Sequence, residues 1–276
     1  MQIRASAAIN KLGNGGKMDL GIAKRKAIIC GSTDGLGYAC IAALAAAGAE
    51  VLMNGRSQER LDVAQARLSS EVGRLVKGVA ADVTTEEGRE KLFAAMPSPD
   101  ILVTNAGGPP PGEFESWGEG DWHKALQANM VAPIMLIRGV VPGMRARGWG
   151  RIVNITSAAV KAPLPLLGLS NGARTGLTGF VSGLARDVAG HGITINNLLP
   201  GYFRTARLER YAQAVADSRG LPVEAIWAEM AAKSPAGRIG IPGEFGAACA
   251  FLASRHAAFI NAQNILLDGG AYPGTM

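Results

Sequence analysis

The sequence has 276 residues, a length that one α/β domain can reach. Apolar residues make up 48% and charged residues 18%, which excludes a disordered chain. Half of the net charge of +6 comes from Arg4, Lys11 and Lys17, and the other basic residues are scattered singly, which speaks against a nucleic-acid-binding face.

Residues 1–17 lack the continuous apolar core and cleavage site of a secretory signal, and their Asn, Gly and Ser content predicts a disordered extension or an upstream start ahead of Met18. No run of ~18 uninterrupted apolar residues follows, so no membrane-spanning segment is expected. Cys30, Cys40 and Cys249 are too far apart for a disulfide framework or zinc site and read as reduced, buried thiols of a cytoplasmic protein. His123, His191 and His256 have no ligand spacing, so no metal is expected.

From residue 25 onward the chain alternates. Short β-branched runs at 26–31, 50–55, 74–82, 100–107, 150–157, 193–201 and 264–270 are separated by Ala- and Leu-rich helical stretches at 36–47, 58–72, 121–147, 172–190 and 243–254. Such alternation predicts crossover connections: a single α/β domain, doubly wound in the Rossmann manner, with a seven-stranded parallel sheet over residues 18–276. The strand runs are apolar at both alternating positions, as a sheet covered on both faces requires. One stretch breaks the alternation. Residues 203–238 are long, amphipathic and helical, and an insertion there predicts a lid over the crevice at the strand ends.

The first strand runs directly into "GSTDGLG", comprising Gly31, Thr33, Asp34, Gly35, Leu36 and Gly37, and then into an Ala-rich helix. A glycine-rich turn that follows a strand and opens a helix lets the backbone approach a diphosphate, with the helix N-terminus facing its charge. The dinucleotide type should show about twenty residues later. There "LMNGRSQERL" carries no acid at the strand tip, and Arg56 lies just beyond. An arginine suits the 2′-phosphate of NADP, whereas a carboxylate would take the free hydroxyl of NAD. NADP is therefore expected over NAD, with Asp34 counting against it as a charge that could repel phosphate.

In chain order, "GSTDGLG", "ADV" at Asp82–Val83, "TNAG" at 104–107, "ALQAN" ending at Asn129, "GRIVNITS" ending at Ser157, "LLPGYFRT" at 198–205 and "ILLDGG" resemble the short-chain dehydrogenase/reductase family. The likeness is greatest to its 3-oxoacyl-carrier-protein reductase-like branch and covers about residues 20–272. The resemblance implies that Asp82 and Val83 contact the adenine and that Asn105, Ala106 and Gly107 line the ribose. It places Pro200, Gly201 and Thr205 beside the nicotinamide. It also implies a small-molecule substrate and a homotetramer built on the helices around 121–147 and 172–190.

The family's catalytic set is a Ser, a Tyr with a Lys four residues later, and an upstream Asn. Asn129 and Ser157 fit. The Tyr position, 13 residues after the serine, is Ser170, and the Lys position is Arg174, so "SNGAR" stands where Tyr-x-x-x-Lys is expected. A phenol of pKa ~10 can be tuned toward neutrality, but an aliphatic hydroxyl is a far weaker acid. An arginine at 174 keeps the positive charge and can hydrogen-bond the cofactor ribose, yet it does not deprotonate, so it passes no proton. The sequence reading is thus an NADP(H)-dependent oxidoreductase with another proton donor (Tyr202, Lys161 or water). Two alternatives stay open: a dinucleotide-binding sensor or partner subunit without turnover, and a non-redox lyase. The stiff loop "GGPPPGEFE" at 107–115 is placed to roof the crevice.

Overall fold

The computed structural model describes residues 18–275, and the expectation for residues 1–17 lies outside them. Strands β1 (Lys26–Ile29), β2 (Glu50–Gly55), β3 (Lys77–Ala80), β4 (Ile101–Thr104), β5 (Gly150–Ile155), β6 (Ile193–Pro200) and β7 (Asn264–Leu267) form one sheet. Their order is β3-β2-β1-β4-β5-β6-β7 and every pairing is parallel. The chain leaves β1 toward β2 and β3 and then returns to β4. The order therefore reverses between β1 and β4, and ligands of open α/β sheets bind at such a switch point, outside the strand C-termini.

Along β1 the side chains alternate between two cores. Ala27 and Ile29 join one, and Ile28 with the following Cys30 joins the other. The first core is covered by α1 (Gly35–Ala46), α2 (Gln58–Val72) and α9 (Pro242–Leu252), through Ile41, Leu44, Leu61, Leu68 and Phe245. The second is covered by α3 (Glu86–Ala95), α5 (Ala132–Arg147) and α6 (Gly168–Ala189), through Leu92, Leu136, Ile137, Leu177 and Val181. Asp34, Ser57 and Thr85 cap α1, α2 and α3 with side-chain oxygens, a contribution of typically ~1 kcal/mol per cap.

Several boundaries differ from expectation. The predicted strands overrun at their C-terminal ends, where the chain leaves the sheet to build the crevice: 100–107 is reduced to Ile101–Thr104 and 264–270 to Asn264–Leu267. Helix α3 lies outside the helical stretches named above because its "EEGREKLFAA" is polar on most faces, although Thr85 and two glutamates in the first turn signal its start. The stretch 121–147 is found as α4 (Glu119–Leu126), a π-turn at Gln127–Val131, and α5. Taken as one helix, Glu119–Arg147 is long and apolar enough to cross a membrane, although polar residues interrupt its apolar runs. In the fold, its Leu136, Ile137, Val140 and Met144 are buried in the second core.

A polar ladder crosses the second half of the sheet. The Thr104 hydroxyl donates to Asn154 Oδ1 (2.7 Å), Asn154 Nδ2 donates to Asn197 Oδ1 (3.0 Å), and Asn197 Nδ2 donates to Asn264 Oδ1 (2.7 Å). Each pair occupies directly opposed register positions on β4, β5, β6 and β7. Thr104, Asn154 and Asn197 are fully buried, so each hydrogen bond offsets a desolvation cost that an unpaired amide would leave in place.

The 203–238 insertion is a helical hairpin, α7 (Ala206–Arg219) and α8 (Val223–Ala232), with its own small core of Ala212, Ala216, Ile226 and Met230. Phe203 anchors its base edge-on against Phe245, with ring centres 5.3 Å apart, and Thr205 caps α7.

Candidate active site

Three glycines shape the turn after β1. Gly31 and Gly35 adopt φ of +54° and +58°, the left-handed region where a side chain is strained. Gly37 lies so close to the Gly31 carbonyl that a Cβ there would overlap it. Asn105, at the end of β4, donates from Nδ2 to the same carbonyl (2.9 Å) and so braces the turn from the far side of the switch point. The N-terminus of α1 therefore faces the crevice over a backbone with no side chain in the way, which fits a dinucleotide diphosphate. Across the opening, the Thr205 methyl lies 3.5 Å from where a Gly35 Cβ would be, so the residue that caps α7 closes over the turn.

The Asp34 charge, read from sequence as a possible obstacle, is accounted for. Asp34 Oδ1 accepts from the Gly35 amide (2.7 Å), and Oδ2 lies 3.7 Å from Arg60 on α2. Thr33 packs its methyl where a Gly55 Cβ would stand, and Leu36 packs on the first core.

At the tip of β2, the residue in place of an acid is Asn54, and it is turned inward. Its Nδ2 donates to the carbonyls of Val79 and Ala81, and its backbone exchanges hydrogen bonds with Ser32. Arg56 follows, exposed. Asp82 accepts from the Thr84 amide (2.9 Å) and hydroxyl (2.8 Å). Partial burial pushes its carboxyl up, but those two bonds and the nearby Arg56 charge outweigh burial and hold it below the usual carboxylate value. Val83 packs on the second core, and its carbonyl accepts from Arg89.

Arg174 is the hub of the other half. It is 8% exposed. Its Nη1 donates to the carbonyls of Ile155 and Thr156 (both 2.9 Å), its Nη2 to that of Ala106 (3.3 Å), and its Nε to Ser170 Oγ (3.2 Å). One side chain thus ties α6 to the ends of β4 and β5, directly beside Ser157. Burial, and then the charge of Arg207, pull its guanidinium down to about 10, so it stays charged at neutral pH. Ser157 Oγ accepts from the Ala159 amide (3.1 Å), which starts a single 3₁₀ turn, and its hydroxyl proton has no acceptor among the described residues.

Asn129 sits, buried, in the π-turn between α4 and α5, where the Ala132 amide reaches back to the Gln127 carbonyl. π-turns expose backbone that an α-helix would seal, and they recur at functional sites. The Asn129 Oδ1 is buried with no donor among the described residues.

The two candidate substitute donors each have a packing partner. The Tyr202 ring packs on the hairpin core, and the Lys161 ammonium lies 5.7 Å over the Tyr272 ring. Gly201 follows Pro200 under Asp268, which a Cβ would crowd at 2.7 Å. Gly107 has open space around it, and Gly112 in the Pro-rich loop donates to the Leu166 carbonyl. Sequence reasoning missed Arg60, Asn54 and Arg207, whose roles arise from packing between distant segments. The cysteines are unbonded and buried, and Cys40 faces Cys249 across α1 and α9. Among the described residues, no cluster of His, Cys, Asp and Glu could hold a metal ion.

Comparison with known proteins places these features in a wider set. A family model described as "Enoyl-(Acyl carrier protein) reductase" matches residues 31–272. Gluconate 5-dehydrogenase of Gluconobacter oxydans (strain 621H) is 33% identical over 249 residues, covering 89% of this chain and 93% of that protein. D-beta-hydroxybutyrate dehydrogenase of Rhizobium meliloti (strain 1021) is 32% identical over 256 residues, covering 89% and 98%. The structure of L-sorbose reductase from Gluconobacter frateurii, complexed with NADPH and L-sorbose, superimposes with a TM-score of 0.88 at 30% identity, covering 93% of this chain and all of that one.

Proposed function

The chain belongs to the short-chain dehydrogenase/reductase family, and from that premise we propose that it is an NADP(H)-dependent oxidoreductase acting on a carbonyl or hydroxyl group of a small molecule, without a Tyr-Lys pair. The observation that carries this reading is the placement of Arg174. From the lysine position it holds the ends of β4 and β5 and Ser170 in one hydrogen-bonded unit, so the crevice keeps a fixed positive charge. The open backbone at Gly31 and Gly37 fits the diphosphate, and Arg56 without a competing acid fits a 2′-phosphate.

When bound, the nicotinamide cofactor supplies hydride chemistry. The protein's part is to polarise the carbonyl. Ser170 Oγ accepts from Arg174 Nε, which leaves its own hydrogen to donate to a substrate oxygen, and Ser157 has a hydroxyl proton free for the same use. Two hydroxyl donors stabilise developing negative charge without acting as acids. In this reading the proton that completes an alcohol comes from water, with the unsatisfied Asn129 Oδ1 as an anchor.

The reading without turnover is favoured by one feature, the absence of a phenol at position 170. Assay of NADPH oxidation against hydroxy-acid and ketose carbonyls, with Ser157→Ala and Ser170→Ala beside the unchanged protein, separates the two. Turnover lost in both variants supports the enzyme. Tight NADPH binding without turnover on any carbonyl supports the sensor. The half-exposed Phe180 on α6 suits the proposed homotetramer, and three unpaired thiols suit a cytoplasmic setting.

A further inference from the structure

Arg174 has five N–H donors and spends four of them on protein oxygens, so one Nη2 hydrogen is left over. Arg207, in the first turn of α7, is exposed and has neither a hydrogen bond nor an ion pair among the described residues. Both guanidiniums converge on Gly108. A Cβ at that position would lie 3.2 and 3.3 Å from the two terminal nitrogens of Arg207 and 3.7 Å from Arg174 Nη2. The nitrogens on the two sides therefore cannot be more than about 7 Å apart. Two like charges this close repel, and the Arg207 charge helps pull the Arg174 guanidinium down, while neither arginine has an ion-pair partner among the described residues. Gly108 has no side chain, so both guanidiniums can approach it this closely, within a loop stiffened by Pro109, Pro110 and Pro111.

A carboxylate is the group that answers both charges. With N–H···O distances of ~2.7–2.9 Å on each side, its two oxygens bridge nitrogens up to about 7 Å apart. We propose that the space beside Gly108, between Arg174 and Arg207, is a subsite for the carboxylate of a substrate acid. It would hold the acid group on the lid side while the reacting carbon faces Ser157 and Ser170. The assignment of the reacting end rests on the oxidoreductase reading, but the anion site does not. Arg207 is carried by the lid hairpin, so an acid bound there would also tie α7 to the loop at 107–112.

The test is calorimetric titration of the full chain with 3-hydroxybutyrate, gluconate and malonate and with their uncharged amides, in the presence and absence of NADP⁺. Arg207→Gln and Gly108→Val are compared with Arg210→Gln, which removes an exposed charge from the same helix. The buried Arg174 is left intact so that folding is not at stake. At least one acid should bind about tenfold or more tighter than its amide. That preference should fall to about twofold or less in Arg207→Gln and Gly108→Val and persist in Arg210→Gln. Equal binding of every acid and amide overturns the subsite, as does a preference that Arg207→Gln leaves intact. A preference that disappears once NADP⁺ is bound also overturns it, because the site then belongs to the cofactor's phosphates. If NADP⁺ does not bind while the Arg207-dependent preference survives, the subsite stands and the oxidoreductase reading fails.

Discussion

Arg174 Nε donates to Ser170 Oγ at 3.2 Å across one turn of α6, and the pair stands where a tyrosine and lysine would be expected from the family pattern. The cation is retained and its reach is rigid, but the acid is replaced by an alcohol. The crevice can therefore polarise an oxygen more readily than it can protonate one.

Removing the Ser170 hydroxyl should lower kcat by about 10–100-fold with little change in KM, since it acts on charge that develops during the reaction. Arg174 would keep its three carbonyl partners in Ser170→Ala, so the thermal midpoint should hold. Steady-state kinetics beside a melting curve separates the two effects.

No group in this pair titrates near neutrality. With Arg174 at about 10 and an aliphatic hydroxyl in place of a phenol, kcat/KM should be flat between about pH 6 and 9. A bell-shaped profile in that window would show that another residue is the acid. The double variant Ser170→Tyr/Arg174→Lys should introduce such a titration.

Gly37→Ala should abolish nucleotide binding, because a methyl group there overlaps the Gly31 carbonyl and displaces the turn. Forcing backbone apart at so tight a contact should also cost about 1–3 kcal/mol in stability. A denaturant midpoint alongside a fluorescence titration with NADPH reads both.

Asp82 is held below its ordinary value, so its charge stabilises the folded state above the unfolded carboxylate pKa of ~3.9. That contribution is lost as pH falls through the lower folded value. The stability gap between the unchanged protein and Asp82→Asn should be constant above about pH 5 and shrink below about pH 4. Thermal melts across pH 3–7 would show it.

In the polar ladder, Asn154→Leu should leave Thr104 and Asn197 with one unmet hydrogen bond each in a buried setting. A loss of about 1–3 kcal/mol per orphaned group is expected, several degrees of thermal midpoint for a chain of this size.

The sequence carries the β-α alternation and the glycine turn openly, because strand periodicity and a close backbone approach constrain residue types locally. Ser157, Asn129, Ser170 and Arg174 are singled out by laying the family's catalytic pattern on the chain. Other features arise only on folding. At the β2 tip, sequence shows the lack of an acid, whereas the structure shows Asn54 stitching three strands together. That the Tyr202 ring packs on the lid hairpin's core likewise has no local signal. Arg207 has no local signal at all, since its meaning depends on a loop 99 positions upstream whose only relevant residue is a glycine.

The most direct measurement is calorimetric titration of the full chain with NADPH and then NADH, repeated with Arg56→Ala. Micromolar or tighter NADPH binding, with NADH at least about tenfold weaker and the difference erased in Arg56→Ala, is the expected result. Failure to bind either nucleotide would contradict the oxidoreductase assignment.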